Sequence, residues 1–521
     1  MSRLRSLAGK VSSDSVVCLL VFAGTVAYLA AMPRDLGLAD ESYFLVEAKR
    51  ILHSEMLYRD IFWFAMPLAH WIMAAIFWIF GTDMLVARLA MAVLHGAIAS
   101  LLFLICRHLG VRTGIALSVA AAHVTLCQAP WPYASPHWFD TLLITLLLFV
   151  LVSRPAGQLS GRALLSAGIV VGLLASVHQH IGAVFAAAMG LYLVADSWLS
   201  RRYGTEQSAA GLLSQLRSFS VGVLLVLVPV FLVMVVTAGV RPLYEQLLVH
   251  PLTGYRKYNH SDWCEVNLMT LRFARYTWPV VLKYVPAVVV IGLARAVRNW
   301  FVRADREQFR NLLALLIVCP AAALSISYLP DFIHVGFIAP LFFVFCAETL
   351  EAVVRSIGAA VGYPNLVGRV VGASLLAALA LHLRSNMALA YGDFPLSHQT
   401  AFGRVDFATA DEVRLVDEIR SLMGKQASRK FFAYPVYTSL YLMTDTDNPT
   451  RHQVLIPDYN SAEEVQGALA TIRALKLPYI VASKIFLRDD DPIFAYVRRE
   501  YECFYPRDPE KCLVYRRRQA P

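Results

Sequence analysis

Two adjacent carboxylates, Asp40 and Glu41, stand just past the first hydrophobic run of the chain, and residues 41–52 behind them have helical spacing. Arg59, Asp60, His137, His178, His180, Asp331 and His334 fall between later hydrophobic runs and Asp140 at the start of one, where one membrane face would gather them. Ionisable residues at such places are costly and are functional candidates. Together they offer a carboxylate to take a proton from a hydroxyl and basic groups to hold negative charge as it develops. That set suits displacement of a phosphate, a good leaving group that needs no strong general acid. A donor anchored in lipid through its phosphate fits, because the leaving group can stay in the membrane.

Each residue also has a plainer role open to it. Asp40 could serve only as the N-cap of the helix behind it, and Arg59 with Asp60 could be a local ion pair. Asp140 and Asp331 could end helices. His178 and His180 could be interfacial histidines bonded to backbone. They have no third ligand near them in sequence, so no metal-binding residues are assigned, and a need for a divalent metal stays open.

The elements that must position these groups follow from composition. The chain has 521 residues, is 58% hydrophobic and 16% charged, and carries a formal net charge of +10; its mean hydropathy is +0.55. This is the profile of a polytopic membrane protein and excludes an ordinary soluble domain. The basic residues lie between apolar runs, where they orient helices and meet anionic lipid, so no nucleic-acid partner is expected. Runs near the ~20 residues needed to cross a bilayer occur at 16–32, 84–106, 114–129, 138–152, 163–177, 183–199, 220–238, 279–293, 312–328, 335–353 and 370–387, eleven in all. Residues 67–80 are apolar but short and read as a helix along the membrane surface. The 168–172 stretch, Gly-Ile-Val-Val-Gly, reads as a site of close helix packing.

Arg3, Arg5 and Lys10 precede the first run, and Arg107, Arg112, Arg154, Arg162, Arg201, Arg202, Arg217, Arg355 and Arg369 fall in alternate turns. The turns 131–137, 178–182 and 329–334 contain no Lys or Arg. The positive-inside rule then puts the N-terminus in the cytoplasm, and Asp40, a first external loop (33–83), a second long external loop (239–278) and the tail on the other side. We divide the chain into a transmembrane domain (1–390) and a small extracytoplasmic α/β domain (391–521), in which 412–423, 462–475 and 491–500 are helical and 430–434 and 479–482 are strands. Cys503 and Cys512 flank a turn-rich segment and are either bridged or two small buried hydrophobes.

No phosphate-cradling Gly-rich loop, G-x-S-x-G, H-E-x-x-H or C-x-x-C is present. Asp40-Glu41, Ala48-Lys49-Arg50-Ile51-Leu52, Glu55, Tyr58-Arg59-Asp60 and Pro67-Leu68, with Asp331-Phe332-Ile333-His334, resemble the first external loop and a later motif of bacterial glycosyltransferases of the C-type membrane fold. These are relatives of protein O-mannosyltransferases and of the lipid A aminoarabinose transferase. The resemblance implies an inverting transfer from a polyprenyl-phosphate sugar to a lipid- or polymer-linked acceptor outside the cytoplasm of a bacterial inner membrane. It implies Asp40 as base, with Glu41 positioning donor or acceptor.

Two departures remove fixed positive charge. Relatives carry Lys before Gln where this chain has His178-Gln179, and Arg before the Asp-x-x-His element where it has Leu329-Pro330. Donor phosphate and sugar binding then fall to Arg59, His178, His180, Arg256, Lys257, Arg272 or Arg275, with Asp140, Asp331 and His334 nearby. A lipid or solute transporter would instead show internal repeats and acids at mid-membrane, and a non-catalytic scaffold would not need Asp40.

Overall fold

The apolar runs fold as helices because a chain in lipid must satisfy its backbone polar groups internally. The computed structural model describes residues 2–36, 40–153, 159–203, 209–263, 282–302, 306–456, 459–483, 490–508 and 511–518. Arg154, Arg272, Arg275 and the first residues of the expected 279–293 span lie outside these.

In chain order, α1 (Ser2–Ala30) is followed by α2 (Asp40–Leu52), α3 (Leu68–Phe80) and α4 (Met84–His108). Next come α5 (Thr113–Ala122), which continues as a π-helical turn His123–Gln128, then α6 (Pro136–Val152), α7 (Gly161–Val177), α8 (Gln179–Arg202) and α9 (Ala209–Ala238). After short helical turns come α10 (Val288–Phe301), α11 (Arg306–Ser325), α12 (Phe332–Ala360) and α13 (Pro364–Asp393). Seven of these, α1, α4, α8, α9, α11, α12 and α13, are long and apolar enough to cross a membrane. The chain is an α-helical polytopic membrane protein.

Ten of the expected spans fall on these seven helices and on the shorter apolar helices 113–128, α6 and α7. The remaining one is displaced: α10 begins at Val288 because Pro286 sits in a preceding 3₁₀ turn, Val285–Ala287. α3 has 13 residues, about 20 Å of helix against ~30 Å of hydrocarbon.

Small residues allow a close backbone approach between α7 and α9. A Cβ on Gly168 would lie 2.1 Å from the Phe219 carbonyl oxygen, and one on Gly222 2.3 Å from that of Leu165.

The tail builds an α/β layer. A hairpin, β1 (Leu396–Thr400) and β2 (Gly403–Phe407), leads to α14 (Ala410–Met423), which starts with a Thr409–Glu412 capping box. A four-stranded sheet in the order β3-β4-β6-β5 joins β3 (Phe432–Tyr434), β4 (Tyr479–Ala482), β5 (Tyr501–Tyr505) and β6 (Val514–Arg517). β3 and β4 are parallel, with α16 (Ala462–Leu475) between them, and the other pairings are antiparallel. α15 (Ser439–Met443) and α17 (Pro492–Glu500) complete the layer. Cys503 and Cys512 are disulfide-bonded.

The 33–83 loop is clamped between the membrane helices and this tail. Nine of the thirteen α2 residues are buried, more than one face, because α2 is covered on both sides. Lys49 Nζ meets Asp445 Oδ1 at 2.9 Å, Arg50 Nη1 donates to the Thr450 carbonyl (3.0 Å), and the Ser42 and Thr438 hydroxyls hydrogen-bond. Phe62 N donates to Arg451 O (2.8 Å), and Arg451 returns a bond to Tyr58 O (2.9 Å). The β1–β2 hairpin holds both ends of the loop: Arg34 N donates to Asp406 Oδ2 (2.7 Å) and Met84 N to Phe402 O (2.9 Å).

Candidate active site

Asp40 is the first residue of α2 and is exposed, while its neighbour Glu41 is buried. Consecutive helical residues point about 100° apart, so the two carboxylates diverge. Asp40 opens into a recess whose walls bring the charges of Asp331 and His334 and the phenols of Tyr43, Tyr255 and Tyr459 within electrostatic reach. Solvent touches it, yet protein encloses it at longer range. That burial raises its pKa above the ordinary carboxylate value, with His334 opposing and Asp331 reinforcing the shift.

Asp331 caps α12, accepting from His334 N at 2.8 Å, and its Oδ1 also lies 2.9 Å from His334 Nδ1. Burial would push its pKa up, but the His334 charge and these hydrogen bonds prevail and hold it below the usual value. Asp331 therefore stays ionised where Asp40 is more readily protonated.

A second cluster adjoins the first. Ser135 caps α6, with Pro136 in its first turn, and His137 and Asp140 follow at i and i+3 on one helical face. His178 is the extended residue (φ −136°, ψ 115°) that breaks α7 from α8. Its Nδ1 lies 2.6 Å from Asp140 Oδ2, and His137 Nδ1 lies 3.4 Å from the same oxygen. The His137 and His178 rings stack at 4.4 Å, and the His334 ring stands edge-on to His137 at 5.1 Å. Tyr328 bridges His334 (5.8 Å) and His180 (5.4 Å), and Tyr255 and Tyr459 continue the wall toward the tail. The absence of a nearby third ligand, expected from sequence, is corrected here: His137 and Asp140 meet His178, because the α7–α8 break faces the first turn of α6.

No family model matches the sequence, and no curated protein matches it at a significant level. Solved structures do share its fold. ArnT from Cupriavidus metallidurans bound to undecaprenyl phosphate is similar with a TM-score of 0.57 at 14% identity, over 97% of this chain and 98% of that one. Its apo form gives 0.59 at 15% identity over 98% of both chains. An oligosaccharyltransferase of Archaeoglobus fulgidus tethered with an acceptor peptide gives 0.55 at 13% identity, over 97% of this chain and 74% of that one. The chain has the C-type membrane glycosyltransferase fold.

Within this C-type fold, Asp40, Asp140, His178, His180, Asp331 and His334 come together, and the other expected site residues do not join them. Glu41, expected to position donor or acceptor, is buried and held from within the protein. Its carboxylate takes Arg88 Nη1 (2.6 Å) and Nη2 (3.0 Å), and Ala134 N donates to Oε1 (2.8 Å). Arg88 also donates to the Pro132 and Asp35 carbonyls. This knot joins α2, α4 and the segment leading to α6, and it sets where Asp40 and His137 stand. Arg59 is turned outward in an exposed ion pair with Asp60 (2.7 Å), and Arg256 and Lys257 are exposed on a short turn, Arg256–Tyr258. Arg88, Tyr255, Tyr328 and Tyr459 escaped the sequence reading, because nothing local distinguishes them from interface-belt aromatics or basic turns.

Proposed function

We propose that this chain is an inverting glycosyltransferase that moves a sugar from a polyprenyl-phosphate donor to an acceptor hydroxyl outside the cytoplasm, on lipopolysaccharide, another envelope glycan or protein. The observation that carries the reading is the accessible Asp40 in a recess roofed by the tail domain, facing Asp331 and His334. Its raised pKa keeps it basic enough to accept a proton from a hydroxyl. As the acceptor oxygen forms its bond to the anomeric carbon from one face, the bond to the donor phosphate breaks on the other. The proton passes to Asp40 and the polyprenyl phosphate leaves with the electron pair.

An apolar cleft of about 300 Å³ supports a lipid-linked donor; Met66 of the first loop and Leu227, Val228, Phe231 and Leu232 of α9 line it. The Cys503–Cys512 bond fits a tail in an oxidising compartment such as the periplasm, and the Arg-free turns that hold His137, His178 and His334 fit the same side. The half-buried aromatics of the recess, Tyr43, Tyr255, Tyr328 and Tyr459, are suited to stacking on sugar rings.

The test is sugar transfer by the purified protein in lipid nanodiscs, offered a panel of polyprenyl-phosphate sugars and membrane glycolipid extract, beside Asp40→Asn. Transfer from one donor that vanishes in a well-folded Asp40→Asn variant supports the reading. Equal activity in the variant moves the base elsewhere, and no transfer from any donor rejects the assignment.

A further inference from the structure

We propose that His137, Asp140 and His178 form a binding site for one divalent transition-metal ion, of the zinc class, with three protein ligands and an open fourth position. One donor atom from each residue lies within 4.8 Å of the others, on the first turn of α6 and at the α7–α8 break. A tetrahedral zinc ion with bonds of about 2.0–2.1 Å sets its ligand atoms about 3.4 Å apart; the His137 Nδ1–Asp140 Oδ2 distance of 3.4 Å matches that spacing, and the 2.6 Å His178 Nδ1–Asp140 Oδ2 contact opens slightly to admit the ion. Two imidazoles and a carboxylate are the donor set that suits such an ion.

The hydrogen-bonding alternative leaves a residue unexplained. If His137 and His178 both donate to Asp140 Oδ2, the buried Oδ1 of the same carboxylate has no hydrogen-bond partner. A buried acceptor left unmade costs about 1–3 kcal/mol, and a cation held by the carboxylate removes that cost. The stacked rings, 4.4 Å apart and 7° from parallel, present both Nδ1 atoms to the same carboxylate oxygen. The helix break at His178 holds its ring there at the expense of a continuous α7–α8 helix.

The recess has a use for the ion. Among the described residues, no Lys or Arg pairs with Asp40, Asp140 or Asp331, and His334 touches both clusters. A departing phosphate needs positive charge, and a cation at this site supplies it beside His334. This role rests on the proposed glycosyl transfer, but the site itself does not.

The experiment uses the full chain in nanodiscs, stripped with chelator, loaded with zinc chloride, washed, and analysed for metal by mass spectrometry. The expected result is about one zinc per chain in the wild type, with binding weakened at least about tenfold in Asp140→Asn and in His178→Ala. Zinc should raise the melting temperature of the wild type and not of the variants, and cobalt loading should give the visible absorption of a four-coordinate site. Should His178→Ala fail to fold, His137→Gln takes its place. Wild-type protein that retains no zinc and shows no melting response overturns the proposal, as do variants that bind zinc as tightly as wild type. Metal content is read without any sugar donor, so protein that takes up no zinc on loading yet still transfers sugar sinks the site and spares the function. Zinc-loaded protein that transfers nothing does the reverse.

Discussion

The Glu41–Arg88 pair offers the sharpest test of how the site is held. Arg88→Met removes a guanidinium that is bidentate to a carboxylate with no solvent-exposed surface. The Ala134 amide remains as a partner for Glu41, but it carries no charge. Breaking a buried pair from one side costs about 3–5 kcal/mol, and the lost bonds to the Pro132 and Asp35 carbonyls add to it. Glu41→Gln keeps the Ala134 bond and one bond to Arg88, so its expected cost is smaller, about 1–3 kcal/mol. The double variant Glu41→Leu/Arg88→Met removes both charges from the interior and should recover much of the Arg88→Met loss. Thermal unfolding in detergent gives the stability order, and sugar transfer measured on the folded fraction gives the functional one. Glu41→Gln that melts like wild type yet transfers nothing would refute the reasoning, because Glu41 would then act on substrate and not as an anchor.

Asp40→Asn should lower transfer by about 10²–10⁴-fold without lowering the melting temperature at neutral pH. The folded-state pKa of Asp40 is raised, so its stability contribution is fully present below the unfolded carboxylate value and is lost as pH rises through the folded value. Melting curves of wild type and variant should converge in acid and separate toward neutral pH in favour of the variant; the acid limb of wild-type transfer should lie above the ordinary carboxylate range. Gly168→Ala should loosen the α7–α9 contact by about 1–3 kcal/mol, because its methyl meets Phe219 O, whereas Gly190→Ala has open space and should be neutral or mildly stabilising by thermal melt. Arg50→Met removes bonds to Thr450 O and Asp60 O and a contact with Glu55, and should show as faster proteolytic release of the tail.

The spans were legible because hydropathy is local. A run of apolar residues must bury its backbone bonds within itself, and composition alone places it. The tail helices and central strands were legible for a similar reason: α16 carries its own capping box, Ser461 with Glu464, and a periodic apolar face. The β1–β2 hairpin was missed because Leu396–Thr400 alternates weakly, with only Thr400 buried. It exists to clasp the first loop, a demand that arises only once Arg34 and Met84 are in place.

The site divides along the same line. Asp40 could be found because a carboxylate at the rim of a first span is conspicuous on its own. The setting of Glu41 could not, because it depends on Arg88, 47 positions away, and on the amide of Ala134. The same holds for the histidine cluster. His137 and Asp140 share a helical face and could be paired by spacing, but His178 joins them only because α7 stops one residue short of α8 and turns an imidazole toward α6. A continuous helix through 178 would move that ring off Asp140. Inserting one helical residue at this break should therefore abolish metal binding and leave the bundle assembled, since the α7–α9 glycine contact lies two turns away from it.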